Sequence, residues 1–187
     1  DSQVVDIPTV VANYDADFVR SYAVWKAPDK MVDVYMKKDE LDFFISRYVI
    51  DKIGCFLNRT RHLLKNSGVT SINIICKSDE VGASASRVMD EFDKKHTRGA
   101  LLELFNHIDL CNGQISNEKL YKERNPDTLR RVAYMMHSTL SLLYPFMPQR
   151  ARDFDIFRAS ENTRTVDTQP LRMVEMARRY THYLLVM

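Results

Sequence analysis

The sequence is poor in the residues that build turns. Its 187 residues include 5 glycines and 6 prolines, whereas 45% of the side chains are apolar. Sandwiches and barrels need turn signals at short intervals along the chain, so this composition predicts a mainly helical protein, and we expect a helix bundle. A chain of this length can bury a core as one domain, or as one domain with a short appendage.

Cysteine is scarce, and neither sign of charge dominates. Cys55, Cys76 and Cys111 show no C-x-x-C spacing, which gives no zinc signature and favours a reducing compartment. The 27 basic and 25 acidic side chains nearly cancel, so any contact with a nucleic acid has to be local. The 5 histidines lack metal-ligand spacing, and we expect no metal site in this segment.

Long apolar runs are also missing. No stretch approaches the roughly eighteen apolar residues of a membrane span, so we expect no membrane association. The acidic start at Asp1 is unlike a signal or transit peptide, and without an initiator methionine we expect a piece of a longer or processed chain. A glycine-rich phosphate loop and a nucleophile–base pair are absent from the sequence, and we therefore expect no catalytic residue here.

What the sequence does contain is a pattern for one long helix over residues 39–66. Its apolar residues recur three or four positions apart and fall on one stripe, which predicts the side facing the core. The stripe consists of Leu41, Phe44, Ile45, Tyr48, Val49, Ile53, Phe56, Leu57, Leu63 and Leu64. On the opposite side, Asp51, Cys55, Arg59 and His62 line up as a polar ridge that can face a partner.

Other segments are predicted to surround this helix. Residues 1–8 read as an extended lead-in ending at a proline, and the β-branched run 71–76 reads as a loop. Further helices are predicted at 15–25, from about 79 to 96, at 97–115, at 125–144 and at 148–157. Residues 159–168 are predicted to form a surface loop, and a terminal helix from Pro170 to return to the body.

Four separated motifs stand in an order known from one enzyme family. They are VVDIP at residues 4–8, DFVRSY at 17–22, GCFLNR at 54–59 and LYPFMP at 143–148. They are similar to the family patterns N-V-V-D-P, D-x-x-R-Y-Y, G-N-x-x-N-R and L-x-P-F-M-P. Over about three quarters of its length, the chain thus resembles the carboxy-terminal part of the methionyl-tRNA synthetases, which are class I aminoacyl-tRNA synthetases.

The resemblance implies a fold and a function. The fold would be all-α, a helix bundle of the class Ia synthetase anticodon-binding type with a short extended lead-in. Residues 1–38 would connect to an upstream catalytic domain, 39–158 would form the anticodon-binding bundle, and 159–187 a loop and C-terminal helix. The chain would bind the tRNA anticodon stem-loop in the cytoplasm or an organelle, while the upstream domain would charge tRNA with methionine using ATP and, in some members, zinc.

The resemblance also points to site residues, with departures from the family. Arg59 matches the family arginine and Asn112 the family asparagine of the third helix. Cys55 stands at the place of another asparagine, Leu120 at that of a proline, and Tyr121 at that of the tryptophan on which an anticodon base stacks. The implied tRNA-binding set is Arg59, Cys55, Tyr121, Asn112, Lys119, Lys122 and Arg124.

A local basic excess supports RNA binding near Tyr121. The segment 119–131 holds five cations against two carboxylates beside this aromatic, a pattern typical of single-stranded RNA binding. The cations are Lys119, Lys122, Arg124, Arg130 and Arg131, and the carboxylates are Glu123 and Asp127.

Simpler interpretations stand beside each of these. Arg59 can pair with Asp51, Tyr121 can pack on the bundle, and the basic segment can be ordinary solvated surface. For Cys55 we expect a packing role, because a thiol lacks the paired donor and acceptor of an amide. At the level of function, the alternatives are a synthetase-derived structural or protein-interaction module without anticodon reading, and another class I synthetase such as the cysteine or leucine enzyme.

Overall fold

The computed structural model describes residue 4 and residues 7–27, 35–65, 79–122 and 125–155. Within these ranges the chain is helical apart from short turns and an antiparallel bridge between Val4 and Lys37, and the predicted all-α fold is confirmed. Several predicted features lie outside the described residues: the loop at 71–76, the surface loop at 159–168, the terminal helix from Pro170, and Arg124.

The described residues form eight α-helices and one π-helical segment. They are α1 (Ile7–Asn13), α2 (Ala16–Lys26), α3 (Lys38–Phe44), a π-helical segment (Ile45–Gly54), α4 (Cys55–Lys65), α5 (Asp79–Asp93), α6 (Thr97–Asn117), α7 (Pro126–Leu143) and α8 (Pro148–Phe154). The helix α3, the π-helical segment and α4 run on without interruption. Together they form the long helix expected from the sequence, which we call the central helix.

The apolar stripe of the central helix faces the core, as predicted. Phe44 and Phe56 are 0% exposed, and Leu57 is 1% exposed. On the other side, the polar ridge is turned to solvent, since Asp51, Cys55 and His62 are exposed and Arg59 is half-buried. Burial of the large side chains on one face is what fixes the rotation of this helix in the bundle.

The middle of the central helix is wider than an ordinary α-helix, which the sequence pattern did not predict. The backbone N–H of Cys55 reaches back to the carbonyl of Ile50, the five-residue hydrogen bond of a π-helix. Gly54 ends this segment, where a Cβ atom would stand 3.2 Å from the carbonyl oxygen of Val49. Apolar spacings of three and four residues fit both helix types over so short a stretch, so periodicity alone does not separate them.

The start of the chain also differs from the prediction. We expected an extended segment through Pro8, but α1 begins at Ile7. Pro8 lies in the first turn, where a backbone N–H has no partner within the helix and its absence costs nothing. The proline therefore marks the beginning of a helix here.

The helix α6 runs antiparallel to α5 and to α7, and the three helices share a buried polar cluster. His107 of α6 is 0% exposed, with Nδ1 2.6 Å from the Ser84 hydroxyl of α5 and Nε2 3.2 Å from the Ser138 hydroxyl of α7. Burial lowers the pKa of His107 to about 4, with a smaller contribution from the positive charge of Arg87. The imidazole is thus neutral at pH 7 and bridges three helices.

The helix α7 begins as the sequence predicts. Asn125 precedes it, and the side-chain oxygen of Asn125 accepts a hydrogen bond of 2.8 Å from the backbone N–H of Thr128. Pro126 and Asp127 occupy the first turn, and the helix ends at Leu143 before Pro145. The short helix α8 follows and packs against α2 and α7.

Candidate nucleic-acid interface

The central helix and α6 lie side by side in a parallel arrangement with a constant register. Three of the side-chain contacts between them join residues that are 57 positions apart in the sequence. The contacts are the ring stack of Tyr48 on Phe105 at 4.7 Å, the ion pair of Lys52 with Asp109, and the 3.1 Å hydrogen bond from Arg59 Nη1 to Ser116 Oγ. We call the strip of surface between the two helices, along these three contacts, the groove.

The same register places Cys55 opposite Asn112, between the ion pair and the Arg59 hydrogen bond. Cys55 is an exposed free thiol and Asn112 is half-buried. The packing role expected for Cys55 is therefore wrong, because its position on the ridge turns it to solvent. Two candidate residues that stand far apart in sequence thus occupy one level of the groove.

Arg59 and Tyr121 are brought together at the end of the groove. The guanidinium carbon of Arg59 lies 5.8 Å from the centroid of the Tyr121 ring, and Lys122 Nζ lies 6.0 Å from the same centroid. Tyr121 is 42% exposed. Among the described residues, Arg59 forms no ion pair with Asp51 and instead contacts α6 and the turn after it. Two cations and a partly exposed aromatic ring are thus brought together.

The turn after α6 determines where Tyr121 stands. The N–H of Leu120 donates to the Ile115 carbonyl at 3.1 Å, and the N–H of Lys119 donates to the Ser116 carbonyl at 3.2 Å. These two bonds form a Schellman motif with Lys119 in the left-handed conformation at φ 50° and Leu120 buried. Proline has no N–H to close such a turn, which explains why leucine is suited to the position where the resembling family has proline.

Much of the basic excess predicted for residues 119–131 is neutralised. Arg131 donates two hydrogen bonds to the Glu118 carboxylate in a bidentate ion pair. These hydrogen bonds hold the pKa of the Glu118 carboxyl below its usual value. Arg130 pairs with Asp127 at 2.9 Å. Within the described residues, Arg59 and Lys122 therefore remain as cations beside the aromatic ring, and Lys119 is an exposed cation in the turn before it.

Sequence reasoning did not find two features of this interface. Ser116, which holds the Arg59 guanidinium, was not a candidate, and the Lys52–Asp109 ion pair across the groove was not foreseen. Both depend on the register between two helices, which no local pattern encodes. The left-handed conformation of Lys119 also has no local signal, because glycine or asparagine is usual at that position.

The described residues give no sign of a metal site or a membrane span. In these ranges, no three His, Cys, Asp or Glu side chains are placed to hold a metal ion. None of the described helices combines the length and the apolar character needed to cross a membrane.

Curated proteins with similar sequences include methionine–tRNA ligases. No protein-family model matches the chain. A methionine–tRNA ligase of Bacillus anthracis is 23% identical over 153 residues, which is 76% of this chain and 28% of the relative. A methionine–tRNA ligase of Bacillus cereus strain Q1 is 24% identical over the same length. The chain therefore spans less than a third of the curated relatives that it matches.

Solved structures agree with these relatives. The free form of Mycobacterium tuberculosis methionyl-tRNA synthetase superimposes with a TM-score of 0.61 at 17% identity, covering 81% of this chain and 34% of that one. The same synthetase in complex with methionyl-adenylate gives a TM-score of 0.64 at 16% identity, covering 91% of this chain and 36% of that one. The chain is thus a methionyl-tRNA synthetase-like helical domain, similar to these enzymes in sequence over three quarters of its length and alike in fold.

Proposed function

We propose that this chain binds the anticodon stem-loop of a tRNA, as the carboxy-terminal part of a methionine–tRNA ligase. The observation that carries the proposal is the placement of the Arg59 guanidinium beside the exposed ring of Tyr121, in a domain similar to methionyl-tRNA synthetases. ATP-dependent charging with methionine belongs to an upstream catalytic domain, which would also hold ATP and zinc. The cytoplasm is the expected compartment.

The side chains of the groove suit unpaired bases. The planar guanidinium of Arg59 can donate two parallel hydrogen bonds to a base edge or a phosphate. Stacking of a base on the partly exposed Tyr121 ring would contribute about 1 to 3 kcal/mol. Lys119 and Lys122 follow α6 at the same end, and they would neutralise the phosphates of the bound strand.

Asn112 and Cys55 would set which base fits between them. The amide of Asn112 offers both donors and an acceptor, whereas the Cys55 thiol is a weak donor and a weak acceptor. At the level of the groove that they share, Asn112 would therefore supply the directional hydrogen bonds. Cys55 would supply shape, since it is exposed beside that amide. Arg124, outside the described residues, is assigned to the same basic end by its sequence position.

The test is binding of a methionine anticodon stem-loop and of the same hairpin with a changed anticodon. Arg59→Ala and Tyr121→Ala should each weaken binding of the methionine hairpin about tenfold, the magnitude of one lost charged hydrogen bond or one lost stack. Arg152→Gln, which removes one charge from the exposed surface of α8, serves as the matched control. With about three phosphate contacts, log Kd should change with log salt by about 2.

Two binding results would contradict the proposed function. If the chain binds neither hairpin at low salt, or binds both equally with and without Arg59, anticodon binding is rejected. The function favoured in that case would be that of a synthetase-derived module that contacts another protein.

A further inference from the structure

The groove between the central helix and α6 continues past the Tyr48–Phe105 stack, away from Arg59. Its far end carries two large apolar side chains in solvent: Phe43 is 57% exposed and Leu102 is 39% exposed. The Phe43 ring stands edge-on to Tyr48 at 6.3 Å between centroids, so it lies next to the stack that joins the two helices. Leu102 precedes Phe105 by one turn on α6.

Two arginines flank these apolar side chains. Arg47 follows Phe43 by one turn on the central helix, and Arg98 precedes Leu102 by one turn on α6. Both arginines are exposed. Of the nearby carboxylates, Glu103 pairs with Arg87 at 3.3 Å, whereas Asp51 lies one turn beyond Arg47 toward the middle of the groove.

We propose that Phe43, Arg47, Arg98 and Leu102 form a second RNA contact, which holds the sugar–phosphate backbone of the stem while the Arg59–Tyr121 end holds the loop. The two arginines bind phosphates, and the two apolar side chains pack against ribose. This contact rests on the proposed function, because it assigns the remainder of the same groove to the same RNA.

Length and charge favour a stem backbone as the occupant. From Arg98 to Ser116 the groove follows α6 for about 27 Å, at 1.5 Å per residue, so a ligand held at Ser116 has to extend well beyond its loop to reach Arg98. Double-stranded RNA is recognised mainly through its phosphates and 2′-hydroxyls, and cations placed apart from one another on two helices suit that backbone. The exposed apolar side chains Phe43 and Leu102, with a cation one turn from each, suit contact with the sugars of such a backbone.

The experiment compares two RNA hairpins with the same methionine anticodon loop. One has the full anticodon stem, and the other is closed by two G·C pairs alone. In binding assays on the full chain, the double variant Arg47→Gln/Arg98→Gln should weaken the full-stem hairpin about tenfold and leave the short hairpin within twofold. Phe43→Ser should weaken the full-stem hairpin about threefold. Arg152→Gln should change neither.

Arg59→Ala separates this proposal from the proposed function. One result would overturn the second contact and leave the loop site standing. In that result, Arg59→Ala weakens binding of both hairpins, whereas Arg47→Gln/Arg98→Gln leaves binding of the full-stem hairpin unchanged. Indifference of both hairpins to Arg59 rejects the loop site and the stem contact that rests on it. Circular dichroism of each variant establishes that the helices are intact. If Phe43→Ser loses helicity, the test relies on Arg47→Gln/Arg98→Gln alone, because these two side chains are exposed.

Discussion

Asp17 of α2 accepts hydrogen bonds from the backbone N–H groups of Gln149, at 2.8 Å, and Arg150, at 3.0 Å. Asp17 is 3% exposed, and its carboxylate also pairs with Arg20 at 2.8 Å. A side chain near the start of the chain thus caps the first turn of α8. This contact ties the DFVRSY motif to the helix that begins at the end of LYPFMP, far away in the sequence.

Replacement of Asp17 should destabilise the bundle strongly. Asp17→Ala leaves two N–H groups without their acceptor and the Arg20 guanidinium without its partner, and we expect a loss of about 3 kcal/mol in the free energy of unfolding. Asp109→Ala is the control, since that side chain is 60% exposed in its ion pair with Lys52 and should cost about 0.5 kcal/mol. Urea unfolding measures both, and equal losses in the two variants would contradict the capping role.

Acid should weaken the fold through His107. Its pKa is about 4 in the folded state and near 6.5 when unfolded, so folding favours the neutral ring. The stabilisation is complete above pH 6.5 and is lost as the pH falls toward 4, by about 2 kcal/mol at pH 5. His137 acts in the same direction, because burial lowers its pKa too.

Urea unfolding at pH 7 and pH 5 tests this directly. His107→Gln should be less stable than wild type at pH 7 and should lose less stability than wild type between the two pH values. A wild-type difference that persists unchanged in His107→Gln would assign the acid sensitivity to other groups.

The π-helical segment predicts opposite outcomes for two glycines. In an exposed helix, replacement of glycine by alanine stabilises by up to about 1 kcal/mol. At Gly113 of α6 nothing lies within 4 Å of the new Cβ, so Gly113→Ala should show most of that gain. At Gly54 the Cβ would meet the Val49 carbonyl oxygen at 3.2 Å, so Gly54→Ala should gain nothing or lose stability. A similar gain at both positions would mean that the wide turn tolerates a side chain.

Two lysines in the left-handed conformation offer a matched pair. Lys95 has φ 62° and Lys119 has φ 50°, and each closes a Schellman motif where glycine is the usual residue. Each Lys→Gly replacement should stabilise the fold by about 1 kcal/mol. In the proposed RNA site, Lys119→Gly should also weaken binding of the short hairpin and reduce its salt dependence, whereas Lys95→Gly should not. Weaker binding with both variants would indicate a general effect of net charge.

The cysteines should differ in reactivity. Cys55 is exposed, whereas Cys111 is buried, and burial raises the pKa of the Cys111 thiol to about 12. Iodoacetamide at pH 8 should therefore alkylate Cys55 readily and Cys111 only after unfolding. Peptide mass spectrometry reads this out, and rapid labelling of Cys111 in the native protein would contradict the burial of its environment.

Periodic apolar residues made the central helix and α6 predictable from sequence, because one buried face imposes its spacing on the chain. Asn125 likewise made the start of α7 predictable, because a capping side chain binds a backbone N–H only a few residues away. The π-helical segment and α1 were missed. In the first case several hydrogen-bonding patterns satisfy the same apolar spacing, and in the second the proline rule was applied to a residue that opens a helix.

Part of the candidate site could be predicted from the sequence. Arg59 and Tyr121 were selected because they match family positions, and the fold brings them together at 5.8 Å. The cation count was too high, since the pairing of Arg131 with Glu118 depends on how α7 lies against the end of α6. The packing role predicted for Cys55 rested on the weak hydrogen bonding of a thiol. Its position on the polar ridge of the central helix leaves it exposed instead.

The constant register between the central helix and α6 limits how this surface can change over time. Each wall belongs to a different helix, and an insertion or deletion within either wall would slide Arg59 past Ser116 and separate Cys55 from Asn112. Single substitutions can alter the groove, but changes of length inside its walls would dismantle it as a whole. Length variation among related chains should therefore fall outside the two walls, while the stretches from Tyr48 to Arg59 and from Phe105 to Ser116 keep a fixed residue count.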